Sequence, residues 1–176
     1  MTAKLSHPRV LVLAIAGLLL GLVASTLLMA SPVHADHAPV HGTILGRAPF
    51  ADPVDLKIRA TVGGRKRTIQ VRESAETVVQ HIVVQPGGFT GWHTHPGPAV
   101  ALVVEGSLTL YQGKDPRCRG FEYGPSEAFI DPGQGNVHGA RNEGSVPAVV
   151  YITYFDVPAG TSPLTPAENP GNCAGF

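Results

Sequence analysis

From Val54 to Val62 the chain alternates without a break: Val54, Leu56, Ile58, Ala60 and Val62 fall on one face, and Asp55, Lys57, Arg59 and Thr61 on the other. A period of two over nine residues predicts a half-buried strand. Gly63-Gly64 supplies a two-residue hairpin turn, and Arg65–Val71 returns as the partner strand, with Arg65, Lys66 and Arg67 as its solvated start. Val78–Val84 is the next strand, closed by Pro86-Gly87-Gly88. Further strands are predicted at His93–His95, Ala99–Val104, Ser107–Tyr111, Ala128–Ile130, Val137–Asn142 and Ala148–Phe155, with Glu105-Gly106, Pro-Gly-Gln-Gly and Glu-Gly-Ser-Val-Pro segments turning the chain between them. Beyond the N-terminal segment no apolar stripe at helical spacing occurs. Many short strands separated by frequent turn signals predict an all-β sandwich or barrel.

The N-terminus follows a different rule. Lys4 and Arg9 precede an uncharged stretch from Val10 to Ala30, broken by Ser31-Pro32 and followed by Val33-His34-Ala35. A basic start, an apolar middle and a small-residue exit predict a secretory signal peptide over residues 1–35, cleaved after Ala35. About 20 apolar residues also suffice for an uncleaved membrane anchor. Either reading puts the remainder outside the cytoplasm, and the membrane is a partner only under the second. Residues 36–53 are polar and broken by prolines, which predicts a loose, extended lead-in to a barrel over 54–158. His34, His37 and His41 beside the cleavage site read as solvated histidines on a flexible terminus. Residues 159–176, rich in Pro and Gly, read as a coil.

Charge and cysteine usage narrow the field. Without Lys4 and Arg9 the chain carries 11 basic and 13 acidic side chains, and no basic stripe points to nucleic acid. The expected partner is a small-molecule ligand or substrate, with a homodimer through an edge strand as a further option. Cys118 and Cys173 are the only cysteines. In an oxidising compartment an even pair predicts a disulfide tying the Gly113–Gly120 loop to the C-terminal coil.

The chemistry concentrates in Gly-Phe-Thr-Gly-Trp-His-Thr-His, residues 88–95. Residues i and i+2 of a strand share a face, so His93 and His95 point the same way, toward an aliphatic interior. Two buried imidazoles resist protonation, because burial disfavours the charged form. A divalent metal uses their neutral nitrogen lone pairs instead. A third ligand is expected from a distant segment, and His138, after the glycine-rich turn Pro132–Val137, is the candidate.

These residues resemble the cupins. The first cupin motif has a Gly, five intervening residues, His-x-His, three or four intervening residues, a Glu, six intervening residues and a Gly, and Gly87, His93, His95 and Gly106 fall in that register. The second ends in Gly-x-x-His-x-x-x-Asn, matched by Gly135, His138 and Asn142. Pro132 stands one residue further from Gly135 than the family's Pro-x-Gly. The run Gly91–Pro98 with Asn142-Glu143-Gly144 is similar to a group of exported single-domain cupins. The resemblance, over Val54–Pro158, implies a double-stranded β-helix, or jelly-roll barrel, with a metal at its centre.

One departure changes the expected electrostatics. Where the family has its metal-binding Glu, this chain has Ala99, flanked by Pro98 and Val100. The implied ligand set is therefore His93, His95 and His138 alone, leaving a divalent ion at +2 and attractive to an anionic ligand. Within the cupins, three-His centres occur in oxygen-using iron enzymes. That implies Fe(II) for an oxygenase, while imidazole also suits Zn, Mn, Ni or Cu. Candidates to hydrogen-bond around the centre are His81, Glu127, Tyr111 and Tyr154, with Glu127 also a substitute ligand. Trp92 and Asn142 read as packing and turn-closing residues. Three functions follow as expectations: a metal-dependent, dioxygenase-like enzyme for a small anionic substrate, a non-catalytic module that stores or senses a metal or small ligand, or a structural barrel that dimerises through an edge strand.

Overall fold

The structure, a computed structural model, describes residues 39–176 apart from Gly63; the predicted signal or anchor segment, with His34 and His37, lies outside the described residues. Twelve strands make up the described secondary structure, and no helix occurs among the described residues. In chain order they are β1 (Val40–Pro49), β2 (Leu56–Val62), β3 (Arg65–Val71), β4 (Glu76–Val84), β5 (His93–Thr94) and β6 (Ala99–Glu105). They continue with β7 (Leu108–Gln112), β8 (Gly120–Tyr123), β9 (Ala128–Asp131), β10 (His138–Arg141), β11 (Ala148–Val157) and β12 (Thr165–Pro166).

Two five-stranded antiparallel sheets, ordered β1-β4-β11-β6-β9 and β12-β5-β10-β7-β8, enclose the core, and β2-β3 form a separate hairpin. Period-two patterning explains the enclosure. In β4 the residues Val78, Gln80, Ile82 and Val84 share a face, as do Ala148, Val150, Ile152 and Tyr154 in β11 and Ala99, Ala101 and Val103 in β6. From the other sheet Leu108, Leu110 and Ala140 join Val84, Ala101, Val103, Ala148 and Val150 in one cluster, while Val78, Ala99 and Tyr154 form a second with Val157. Each large aliphatic side chain taken fully out of water contributes about 1.5–3 kcal/mol.

Three expectations are corrected. The lead-in over 36–53 is a ten-residue strand along Val40–Pro49, paired with β4 in a register broken between Ile44 and Gly46. Being mostly exposed, it carries no alternation, so the period-two signal is absent. The C-terminal coil contributes β12, which pairs Thr165 with Thr94 and Pro166 with His93. The strand β8, pairing Leu108 with Tyr123 and Tyr111 with Gly120, lies in a segment read as a loop. The Cys118–Cys173 disulfide forms, spanning 55 residues, as expected.

Glycine is required where two turns meet. At Gly133 (φ 60°) a β-carbon would collide with the carbonyl of Gly97, and one at Gly97 would collide with the carbonyl of Phe155. Only bare backbone lets the turn before His138 lie against the turn after His95.

Candidate metal centre

Two strands of one sheet and the turn after them assemble the histidines. His138 pairs directly with His93 in the β10–β5 register, and His95 lies one residue past the end of β5. All three side chains are buried. Ring centroids are 4.3 Å apart for His93–His138, 5.0 Å for His93–His95 and 5.1 Å for His95–His138. One nitrogen from each ring lies within 4.8 Å of the others, a grouping that could hold a metal ion.

Hydrogen bonding decides which nitrogen each ring offers. His93 Nδ1 lies 2.9 Å from the carbonyl of Gly91, and His95 Nδ1 lies 2.8 Å from that of Pro163. His138 Nδ1 is 3.3 Å from the Asn136 carbonyl and 3.2 Å from Asp131 Oδ2. Oxygen acceptors at every Nδ1 fix it as the N–H, so every Nε2 keeps its lone pair. Charge follows the same logic. Burial, then the neighbouring His138, lowers His93 to about 3; burial, then His93, lowers His95 to about 4; burial, then His95, lowers His138 to about 3. Three neutral imidazoles with uncommitted Nε2 atoms form a donor set that fits a divalent transition metal.

The electrostatics differ from the sequence expectation. A carboxylate does stand at the centre, from a residue that motif matching passed over. Asp131 is the last residue of β9 and the direct cross-strand partner of Ala99, the position where the family has its Glu. It is 2 % exposed. Oδ1 accepts from the Gly133 N–H at 2.7 Å; Oδ2 accepts from Asn136 Nδ2 at 2.8 Å and lies 3.2 Å from the Nδ1–H of His138. Burial raises its pKa, opposed first by His95 and then by the Gly133 and Asn136 hydrogen bonds. Its neighbours are all donors, which fits the ionised form. Because His138 is neutral, the contact is a charge-assisted hydrogen bond and not an ion pair. The negative charge missing at Ala99 thus returns behind His138, and with a divalent ion held by the three histidines it would offset part of the expected +2. The readable signal was Asp131 sharing the inward face of its strand with Phe129.

The other candidates separate. Tyr154 reaches the cavity, with its ring 4.9 Å from that of His95 and its hydroxyl donating to Gln80 Oε1 at 2.9 Å; burial holds it protonated. His81 alternates to the outer face of β4 and packs on Tyr151. Tyr111 lies away from the cavity, donating to Glu143 at 2.8 Å and packing on Phe176. Glu127 is exposed and accepts from the Gly124 N–H, a turn-closing role, so it is neither ligand nor neighbour of the histidines. Asn142 is fully buried and donates to the carbonyls of Val84 and Val146. Trp92 packs edge-on against Phe89 and Phe176. Sequence reasoning also missed Gln80, Pro163 and Leu164, none of which carries a motif.

Residues 80–154, which include both histidine segments, match the family model described as "Cupin domain". This stretch is a cupin. No curated protein matches the chain. Among solved structures the cupin is similar to an uncharacterized conserved protein with a double-stranded β-helix domain from Klebsiella pneumoniae, at 20 % identity and a TM-score of 0.43, covering 67 % of this chain and 81 % of that one. It is also similar to a cupin-like protein from Thermotoga maritima (22 %, TM-score 0.41, 53 % and 65 % covered). A third similar structure is the polyketide cyclase RemF from Streptomyces resistomycificus (26 %, TM-score 0.42, 53 % and 64 % covered).

Proposed function

We propose that this protein is an exported cupin holding one divalent metal on His93, His95 and His138, and that it works as an oxygenase-type enzyme on a small anionic substrate. One observation carries the reading: the three histidines group their nitrogens and line a common cavity of about 160 Å³, while every Nδ1 has an oxygen acceptor and every Nε2 is left uncommitted. When bound, the metal supplies Lewis acidity and coordination positions for substrate and O₂. The chain's own residues do the rest. Asp131 orients His138, the Pro163 carbonyl orients His95, and the aliphatic wall keeps bulk water out. No wall residue is an uncommitted base: Asp131 accepts hydrogen bonds from its neighbours, and Tyr154 is held protonated while donating to Gln80. That favours chemistry in which the metal activates the reactants over chemistry that needs a protein proton acceptor. The disulfide suits an oxidising compartment, in line with the signal-like N-terminus.

The same lack of a free base is what a non-catalytic binding module would show. Nitric oxide, a stand-in for O₂, separates the two readings. Added without air to Fe(II)-loaded protein, it gives the electron paramagnetic resonance signal of an iron–nitrosyl adduct if a coordination position is open. A loaded centre that gives no such signal is closed to O₂, and the oxygenase reading fails.

A further inference from the structure

The wall of the cavity restricts what enters it. Its surface is formed largely by aliphatic and aromatic side chains, among them Ile82, Val84, Leu108, Leu110, Phe129 and Val150. No lysine or arginine occurs among the described residues that line it. The remaining polar side chains are largely committed: Thr90 Oγ1 donates to the Gly91 carbonyl at 3.2 Å and accepts from the Ala140 N–H at 3.0 Å, and the Tyr154 hydroxyl donates to Gln80. Gln80 also lines the cavity, its Oε1 taken up by the Tyr154 hydroxyl. It lies against Gly42, where a β-carbon would approach to 2.6 Å, so glycine at that point of β1 makes room for the carboxamide.

We infer, on the footing of the metal centre proposed above, that the ligand is a monoanion with one oxygen head group and a compact apolar body of about four to six carbons. The size follows from volume, since an apolar cavity of about 150 Å³ accommodates a benzene ring. The apolar body follows from the wall: a hydroxyl placed among Leu108, Leu110 and Val150 would lose its hydrogen bonds to water and gain none. The single head follows from charge. The metal would offer one cationic anchor, the Gln80 carboxamide on the wall is neutral, and a second carboxylate or a phosphate would lie among hydrocarbon with no counter-charge. Sugars, sugar acids, phosphate esters and dicarboxylates are thereby excluded, and small branched or cyclic carboxylates and enolates are favoured.

A chain-length series tests this on Co(II)-loaded protein, with the visible Co(II) spectrum reporting coordination of each anion. Acetate through heptanoate are titrated, with succinate, glycerate and inorganic phosphate beside them. Affinity is expected to rise about fourfold per added methylene, to peak near pentanoate or hexanoate, and then to fall. Succinate, glycerate and phosphate should bind no tighter than acetate. Leu108→Ala should move the peak to a longer chain and Ala101→Leu to a shorter one, both variants taking up Co(II) as the wild type does. If Ala101→Leu fails to fold, Leu108→Ala alone decides the direction. A flat series, or phosphate or glycerate binding more tightly than pentanoate, overturns the ligand class and leaves the metal centre standing. Folded wild-type protein that takes up no Co(II) overturns both.

Discussion

His138 has its Nδ1 between the Asn136 carbonyl and a buried carboxylate, and that arrangement defines the centre at the scale of single residues. An outer carboxylate fixes the tautomer and raises the basicity of the ligand nitrogen, and removing such a partner lowers metal affinity about 10- to 100-fold. Asp131→Asn should therefore weaken Zn(II) binding by that factor in a competitive chelator titration while the β-sheet circular dichroism stays unchanged. Unaltered affinity would mean that Asp131 serves only the turn at Gly133. The histidines also set a pH dependence. Their folded values of about 3 to 4 lie below the unfolded 6.5. Between those limits the unfolded chain binds protons that the folded chain does not, so acid favours unfolding. Asp131, raised by burial, opposes the trend, three groups against one. Metal-free protein should show its full His-linked stability above pH 6.5 and a denaturation midpoint that falls progressively toward pH 4, with a shallower fall in His93→Gln. How much of this was legible in the sequence depended on spacing. His93 and His95 declare themselves by an i, i+2 pair beside an aliphatic run, and His138 by the glycine turn before it. Asp131 escaped because its meaning comes from standing across from Ala99, and only strand register reveals that pairing.

At the scale of elements, the C-terminal segment is part of the centre. Its Pro163 carbonyl accepts from His95 Nδ1, Leu164 lines the cavity, β12 pairs with β5, and the Ala167 N–H donates to the Trp92 carbonyl at 2.9 Å. Two anchors hold it: the Cys118–Cys173 bond, and the Phe176 ring, 4.8 Å from Phe89 and 4.7 Å from Tyr111. Closing a loop of about 55 residues contributes on the order of 4 kcal/mol. Cys173→Ser should lower the melting temperature by roughly 10 °C, and a reductant should lower the wild type toward the variant without moving the variant further. Equal melting temperatures would show that the aromatic anchor alone suffices. Sequence reading assigned this segment to coil because β12, only two residues long, is created by the neighbour that accepts it; β1 is long but mostly exposed, and so shows no alternation either. The disulfide was legible from two cysteines and a compartment; its consequence for His95 was not.

At the scale of the whole molecule, two sheets with alternating inward side chains make a largely apolar interior, and the three histidines line its cavity. The all-β class and the hairpin β2-β3 were readable because alternation is a local property; the order of strands within each sheet is not. The central claim is that His93, His95 and His138 together hold one metal ion inside this barrel. Elemental analysis of protein purified without chelator, with a His93→Ala variant beside it, tests that claim most directly. About one divalent transition metal per chain is expected in the wild type, with a large loss in the variant. A folded wild type without metal, or a variant that retains as much, would contradict it.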